Sequence, residues 1–398
     1  MHIVLLGPFG LRPRGTMAVR ALPMAHALAA RGHSATLLMP PWQNPQDAGR
    51  RWKEGGVAVE NIELPPRIPG LFHGQTALRL ARRALALQPD AVHFFKPKAY
   101  SGLAHWLLAR LPRRPRLVVD SDDWEGPGGW NEIGGYSPAQ RRFFTWQERW
   151  GLTHADAVTV ASRTLESLVW ALGIPPGKVH YVPNGVLGTA GPELHSAARD
   201  PASGPPQPTI LLYTRFFEFP LSRVVELLRQ VRAAVPGARL LVVGRGLSGE
   251  EQELAQMAQA DGLADSVEYA GWVEPETLPA HFARAALAIY PFDDTLVNRA
   301  KCAVKLLDLL AAGVPVVAEA VGQNREMIRH GETGWLVSPG DTDAFAAAVV
   351  ELLYDAERRQ QLGQRAACDV RERFAWERLV EEVEKAYSPP KVAPIPFL

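Results

Sequence analysis

The chain is 398 residues long, more than one hydrophobic core usually organises, and its 47% hydrophobic and 21% charged residues are ordinary for a soluble two-domain enzyme. Two cysteines, Cys302 and Cys368, exclude a disulfide framework and suit a reducing cytoplasm, and neither a run of about 18 apolar residues nor a signal-peptide pattern is present. Net charge is +1 but uneven, with 23 Lys+Arg against 15 Asp+Glu in residues 1–200 and 20 against 27 beyond, so no nucleic-acid partner is expected.

Short apolar runs alternate with helical patterns from the first residues onward. "IVLLG" (3–7) precedes the helix-like "TMAVRALPMAHALAARG", then come "ATLLM" (35–39), "AVHFF" (91–95), "RLVVD" (116–120), "AVTVAS" (157–162) and "VHYV" (179–182). Runs of this kind are strands of a parallel sheet covered on both faces. "GVLGTAGPELHSAARDPASGPPQP" (185–208) has no periodicity and reads as a linker. The alternation then restarts with "TILLYT" (209–214), "RLLVVG" (239–244), "SVEYAG" (266–271), "LAIYPF" (287–292) and "PVVA" (315–318). The expected fold is α/β, with two doubly wound parallel-sheet (Rossmann-like) domains facing a cleft that binds ligands at the carboxyl ends of the strands. The first domain is placed at 1–185, the linker at 186–208 and the second domain at 209–373. The basic residues of the first half face either an anionic membrane surface or, more plainly, water from Arg-rich helices.

Several motifs carry chemistry. "DSDD" ends a strand with Asp120, Asp122 and Asp123, an oxygen-rich group that suits Mg²⁺ or Mn²⁺ or, as preferred here, an acceptor. The glycine-rich stretch after it holds Trp124 and Trp130, whose faces suit sugar rings, with helix packing as the plainer role of most tryptophans nearby. "VPNGV" sets Asn184 in a turn after a strand, and Arg215 follows the strand 209–214, where its fork suits phosphate or pairs with Glu218. "GRGLSG" (244–249) matches a dinucleotide fingerprint with Glu268 downstream, but Glu250 and Glu251 in the next helical turn repel a pyrophosphate.

In "KLLDLLAAGVPVVAEA" (305–320), Lys305 starts a helix, where a cation is unfavourable unless an anion shares the site. Asp308 shares its face and offers an acceptor for hydroxyl groups, so the pair suits the phosphate and ribose of a nucleotide. Gly322 and Glu326 lie on the following loop and helix start, converging with Arg215 on the same strand ends.

Together these residues resemble the retaining glycosyltransferases of family 4, with the GT-B fold. Gly15 in "PRGTMAVRALPMAHALAARGHSATLL" resembles the family's first-loop glycine, and "GQNREMIRHGETGWLVSPGD" its G-x-x-E-M-I stretch. "RFAWERLVEEVEKAY" resembles the last helix, expected at 374–390 and packed back on the first domain. Three positions depart from the pattern. Asp308 and Ala300 stand where the family usually has glutamates, and Arg223 is the nearest substitute for a missing phosphate-binding lysine.

The resemblance implies transfer of a sugar from a nucleoside diphosphate sugar to an acceptor hydroxyl with retention, without cofactor or metal. Arg215, Lys305, Asp122 and Asp123 are its candidate catalytic residues. Gly15, Asn184, Arg215, Lys305, Asp308, Gly322 and Glu326 are the donor contacts, and Asp120, Asp122, Trp124 and Trp130 the acceptor contacts. The acceptor class is a sugar or lipid-linked sugar, in glycan biosynthesis in the cytoplasm, with peripheral contact at the inner face of the membrane as an option. Other readings are a sugar phosphorylase on the same fold, a nicotinamide-dependent oxidoreductase and a non-catalytic sugar-nucleotide binding protein.

Overall fold

A computed structural model describes residues 1–13, 15–186 and 208–388. The chain separates into two compact units: Met1–Gly185 with Ala300–Cys302 and the chain from Trp376, and Val186–Arg299 with Ala303–Ala375. The linker expected at 186–208 lies, apart from its two ends, outside the described residues.

The first unit is built on eight strands: β1 (His2–Leu6), β2 (Ser34–Met39), β3 (Arg51–Glu54), β4 (Val57–Asn61), β5 (Ala91–Phe95), β6 (Arg116–Ser121), β7 (Ala157–Val160) and β8 (Val179–Tyr181). Their order is β3-β4-β2-β1-β5-β6-β7-β8, and only β3 runs antiparallel, to β4. Leu5 stands opposite both Leu37 and His93, so β1 is hydrogen-bonded on both edges. Its Ile3, Val4, Leu5 and Leu6 are fully buried, which is why it reads as a continuous apolar run. The order reverses at β1, where β2 lies on one side and β5 on the other. Loops leaving β1 and β5 therefore diverge and open a crevice at the carboxyl edge.

The hairpin β3–β4 is absent from the strands read above, although "EGGV" carries its signal. Gly55 and Gly56 both have positive φ (54° and 83°), as a two-residue turn between twisted strands demands. The helix Trp376–Tyr387 belongs to this unit. Trp376, Val380, Val383 and Tyr387 recur at helical spacing and are at most 2% exposed against the first core. Fully burying one such side chain is worth about 1.5–3 kcal/mol. Its polar edge is tied as well: Glu384 receives Arg31 at 2.7 and 2.9 Å, and Arg116 Nε donates to Ala386 O at 2.7 Å.

Ala300–Cys302 departs from the continuous second domain that the composition implied. Ser162 Oγ donates to Ala300 O (2.7 Å) and Asn184 Nδ2 to Cys302 O (2.6 Å), so first-unit side chains satisfy this segment's carbonyls.

The second unit has six parallel strands: β9 (Thr209–Tyr213), β10 (Arg239–Val243), β11 (Val267–Gly271), β12 (Leu287–Tyr290), β13 (Val316–Glu319) and β14 (Trp335–Val337). The order is β11-β10-β9-β12-β13-β14, with its reversal between β9 and β12. Ile210, Val242, Ile289 and Val317 meet Leu228, Val231, Phe345 and Val349 from the covering helices. Among the described residues no helix is long and apolar enough to cross a membrane.

Candidate active site

Three carboxylates end β6, and each meets a different partner. Asp120 is fully buried: Arg20 donates to both of its oxygens (2.8 and 2.7 Å), and Thr159 Oγ1 donates to Oδ2 at 2.6 Å. Arg20 is itself buried and donates to Asn184 Oδ1 (3.1 Å) and Val182 O (2.8 Å). Thr159 has one proton and gives it to Asp120, so His93 Nε2 donates to Thr159 Oγ1 (3.0 Å) and Tyr387 OH to His93 Nδ1 (2.9 Å). Burial keeps that imidazole neutral, with its pKa lowered to about 4. Asp120 thus heads a buried ladder from Arg20 to the last helix and presents no oxygen to an acceptor.

Asp122 and Asp123 lie just outside the sheet. Asp122 Oδ2 accepts from Thr16 Oγ1 at 2.6 Å, and its Oδ1 is 3.3 Å from Lys96 Nζ. Burial pushes the Asp122 carboxyl up to about 6. Asp123 Oδ2 accepts from Lys96 Nζ at 2.6 Å. Burial there is outweighed by Lys96 and Lys301, which hold Asp123 below the usual carboxylate range. Beneath them Glu125 Oε2 accepts from Lys98 Nζ (2.7 Å), while Glu148 Oε1 accepts from Glu125 N–H (3.0 Å).

The glycine-rich loop separates its two tryptophans. Trp124 is 7% exposed, donates Nε1–H to Pro127 O at 2.9 Å, and its ring would lie 2.3 Å from a Cβ on Gly126. It is the loop's own core, not a platform for an acceptor. Trp130 is half-buried, with its ring centroid 5.8 Å from Lys301 Nζ. Asn184, expected on the donor, is buried between Arg20 and Cys302, with its N–H on Cys302 Sγ at 3.1 Å. Gly15 lies on the loop after β1, and its carbonyl accepts from Ala18 and Val19, opening the next helix.

In the second unit, Lys305 enters the helix Val304–Ala311, and its ammonium lies 3.4 Å from the ring centroid of Tyr213, the last residue of β9. This cation–π contact fixes a positive charge at the strand end. Phe216 turns the chain there, buried and left-handed (φ 72°) with its N–H on Thr214 Oγ1 at 2.8 Å, which leaves Arg215 exposed beside Phe217. Asp308, one turn from Lys305 on the same face, is half-buried.

Arg223 is not a free phosphate contact. It donates to Glu319 (3.1 Å) and pairs with Asp293 (2.6 Å), while buried Glu319 also accepts from Phe292 N–H and Gly340 N–H. Gly322 has φ 47°, and a Cβ there would lie 2.5 Å from Arg299 Cα, so its close approach is to its own chain. Glu326 is exposed on the short helix Asn324–Met327. In the glycine motif, Glu251 accepts from Gly246 N–H (3.0 Å) and Glu250 from Ser248 N–H (2.6 Å). The loop's anion-binding donors are filled by its own helix, which removes the dinucleotide reading.

Both units match family models: residues 15–185 a "Glycosyl transferase 4-like domain", and residues 207–355 "Glycosyl transferases group 1". The chain belongs to glycosyltransferase family 4. This transferase is 26% identical to the GDP-mannose-dependent alpha-(1-6)-phosphatidylinositol monomannoside mannosyltransferase of Mycobacterium tuberculosis, covering 89% of this chain and 90% of that protein. It is 29% identical to the phosphatidyl-myo-inositol mannosyltransferase of Mycobacterium leprae over 97% and 96% of the two chains. Its GT-B fold is shared with sucrose-phosphate synthase from Thermosynechococcus elongatus (TM-score 0.74, 21% identity, 97% and 98% covered) and with Anabaena HepE in complex with UDP (0.69, 18%, 97% and 99%).

Three residues of the transferase's carboxyl edges escaped the sequence reading. Arg20 was a lone cation in an apolar helix, and Lys96 and Lys98 formed a basic pair just past β5. Each had a signal, a charge next to a buried strand end, but no visible partner.

Proposed function

We propose that this glycosyltransferase moves mannose from GDP-mannose to a hydroxyl of a lipid-linked sugar or polyol, retaining anomeric configuration. The observation that carries the donor half is Lys305, fixed over Tyr213 at the switch point of the second sheet with Asp308 one turn on. Negative charge grows on the departing diphosphate, and fixed cations and helix N–H groups aimed at it lower the barrier. Lys305 and Arg215 supply the cations, and Asp308 accepts from the ribose hydroxyls. Full-length similarity to GDP-mannose-dependent enzymes supports the choice of base and sugar.

On the acceptor side, Asp122, Asp123 and Trp130 edge the crevice of the first sheet. Activity is expected without divalent metal, because a lysine ammonium already lies between Asp122 and Asp123 where a cation would be drawn. Peripheral membrane contact is supported by the helix Pro138–Thr153, whose exposed Phe143 and Trp146 stack on one another among exposed Arg141, Arg142 and Arg149.

The test is transfer from GDP-mannose to octyl α-mannoside with EDTA present, the product's anomer read by NMR. An α-linked product supports the proposal. No transfer, or transfer only after Mn²⁺ is restored, refutes the donor assignment or the metal-independence respectively. Co-sedimentation with phosphatidylglycerol vesicles, lost in Trp146→Glu, tests the membrane face.

A further inference from the structure

The loop leaving β5 is held in a costly shape. Lys96 and Ala99 both have positive φ (49° and 51°), which non-glycine residues rarely adopt and which costs about 1–3 kcal/mol each. The surroundings enforce it. Gln147 accepts from Ala99 N–H (2.8 Å) and donates to Ala99 O (3.1 Å), and Ser101 Oγ donates to the carbonyls of Lys96 and Lys98. Gly102 and Gly151 make room for Pro97, since a Cβ on them would lie 2.9 Å from its oxygen and 2.7 Å from its own Cβ.

What this shape achieves is the direction of one side chain. Lys96 Nζ leaves the sheet edge and reaches Asp123 at 2.6 Å, Asp122 at 3.3 Å and Glu125 at 3.6 Å. Lys98, two residues on, is a contrast. It pairs with Glu125 and lies over Tyr136 (4.4 Å) and Phe144 (4.8 Å), pinning the glycine-rich loop to the helix Pro138–Thr153. Lys98 is a clamp, whereas Lys96 is aimed at the two carboxylates at the crevice.

We propose that Lys96 is a positioning residue for the transfer reaction, a built-in cation that orients Asp123 toward the acceptor. The inference rests on the acceptor-side reading of Asp122 and Asp123 above. Asp123 accepts a hydrogen bond from a hydroxyl of the acceptor next to the attacking one; the attacking oxygen bonds to the sugar's anomeric carbon as the bond from that carbon to the diphosphate breaks, and its own proton goes to the leaving phosphate. The charged and titratable groups facing the pair are Arg20, Lys96, Lys301 and Cys302, with Asp120, Glu125 and Glu148 on the acidic side and the hydroxyl of Thr16 bonded to Asp122. Of these, Lys96 donates to Asp123 at 2.6 Å. A nearby cation lowers a carboxylate's pKa by about 1–3 units. Removing Lys96 therefore raises the pKa of Asp123.

The experiment uses the full chain with GDP-mannose and octyl α-mannoside, comparing Lys96→Met, Lys96→Arg, Lys98→Met and Asp123→Asn. In Lys96→Met, kcat/KM for the mannoside is expected to fall about tenfold or more, with its acid limb moved up by about one pH unit. GDP affinity by calorimetry stays unchanged. Lys96→Arg restores the limb, Lys98→Met lowers Tm without moving it, and Asp123→Asn removes it. A folded Lys96→Met with an unmoved acid limb overturns the proposal. If that variant does not fold, Asp123→Asn decides: an unchanged mannoside KM and pH profile overturn it equally. Wild-type protein that neither binds GDP nor transfers mannose refutes the proposed function, and this inference with it. Normal GDP binding with an unmoved limb refutes the inference alone.

Discussion

Asp120 ends a strand of the first sheet and Asp308 lies on a helix of the second unit, and the two carboxylates are assigned opposite tasks. Asp120 is sealed by Arg20 and Thr159, so its loss is structural. Asp120→Asn leaves the Arg20 guanidinium buried without a counter-charge, and urea denaturation should show a loss of about 3–5 kcal/mol. The folded fraction should keep its acceptor KM. Asp308 was legible only as a candidate, because a charge interrupting an apolar helix requires a partner. The fate of Asp120 was not legible, because Arg20 lies a hundred positions earlier in the chain and spacing alone carries no distance. Trp124 shows the same limit: its place in a glycine-rich loop hid that Gly126 and Gly129 leave room for it.

At the scale of elements, most of the parallel strands were legible from short apolar runs. What escaped was short or exposed: the β3–β4 hairpin, whose Arg51, Lys53 and Glu54 face water, and the three-residue β14. If the donor lies where the proposed function puts it, the loop after β13 is the element that tests it. Gly322→Ala there combines a left-handed backbone with a Cβ 2.5 Å from Arg299, so the loop must move. GDP affinity is expected to fall about tenfold, roughly the worth of one hydrogen bond. Gly340 has φ 79° with open space around its Cβ position, and Gly340→Ala should cost only the backbone strain, about 1–2 kcal/mol, without touching GDP binding. Equal effects of the two on calorimetric affinity would contradict this.

Over the whole molecule, the proposed function assigns stability and catalysis to different groups. His105 is buried between Phe94 and Trp150, and burial lowers its pKa to about 3. A histidine held neutral contributes its full stability above its unfolded value of about 6.5 and loses it as pH falls toward the folded value. Between pH 7 and 5 this amounts to about 2 kcal/mol. His105→Phe should shrink the pH 7-to-5 stability difference by that amount in denaturant titrations, with kcat unchanged. An undiminished difference would show that His105 is not an acid-sensitive group, leaving buried His93 to account for it.

The proposed function makes catalysis depend instead on the second sheet's switch point, and calorimetric titration of GDP into the wild type, Lys305→Ala and Asp308→Asn tests that directly. The expected result is measurable binding by the wild type, with each substitution weakening it by about 1.5–3 kcal/mol, roughly 10- to 150-fold. Lys305→Ala should also lower kcat, because the diphosphate's charge grows in the transition state. Asp308→Asn should act mainly on affinity. If GDP binds both variants as it binds the wild type, the Lys305–Asp308 pair is only a helix-surface pair, worth about 0.2–0.5 kcal/mol of stability, and the donor site lies elsewhere.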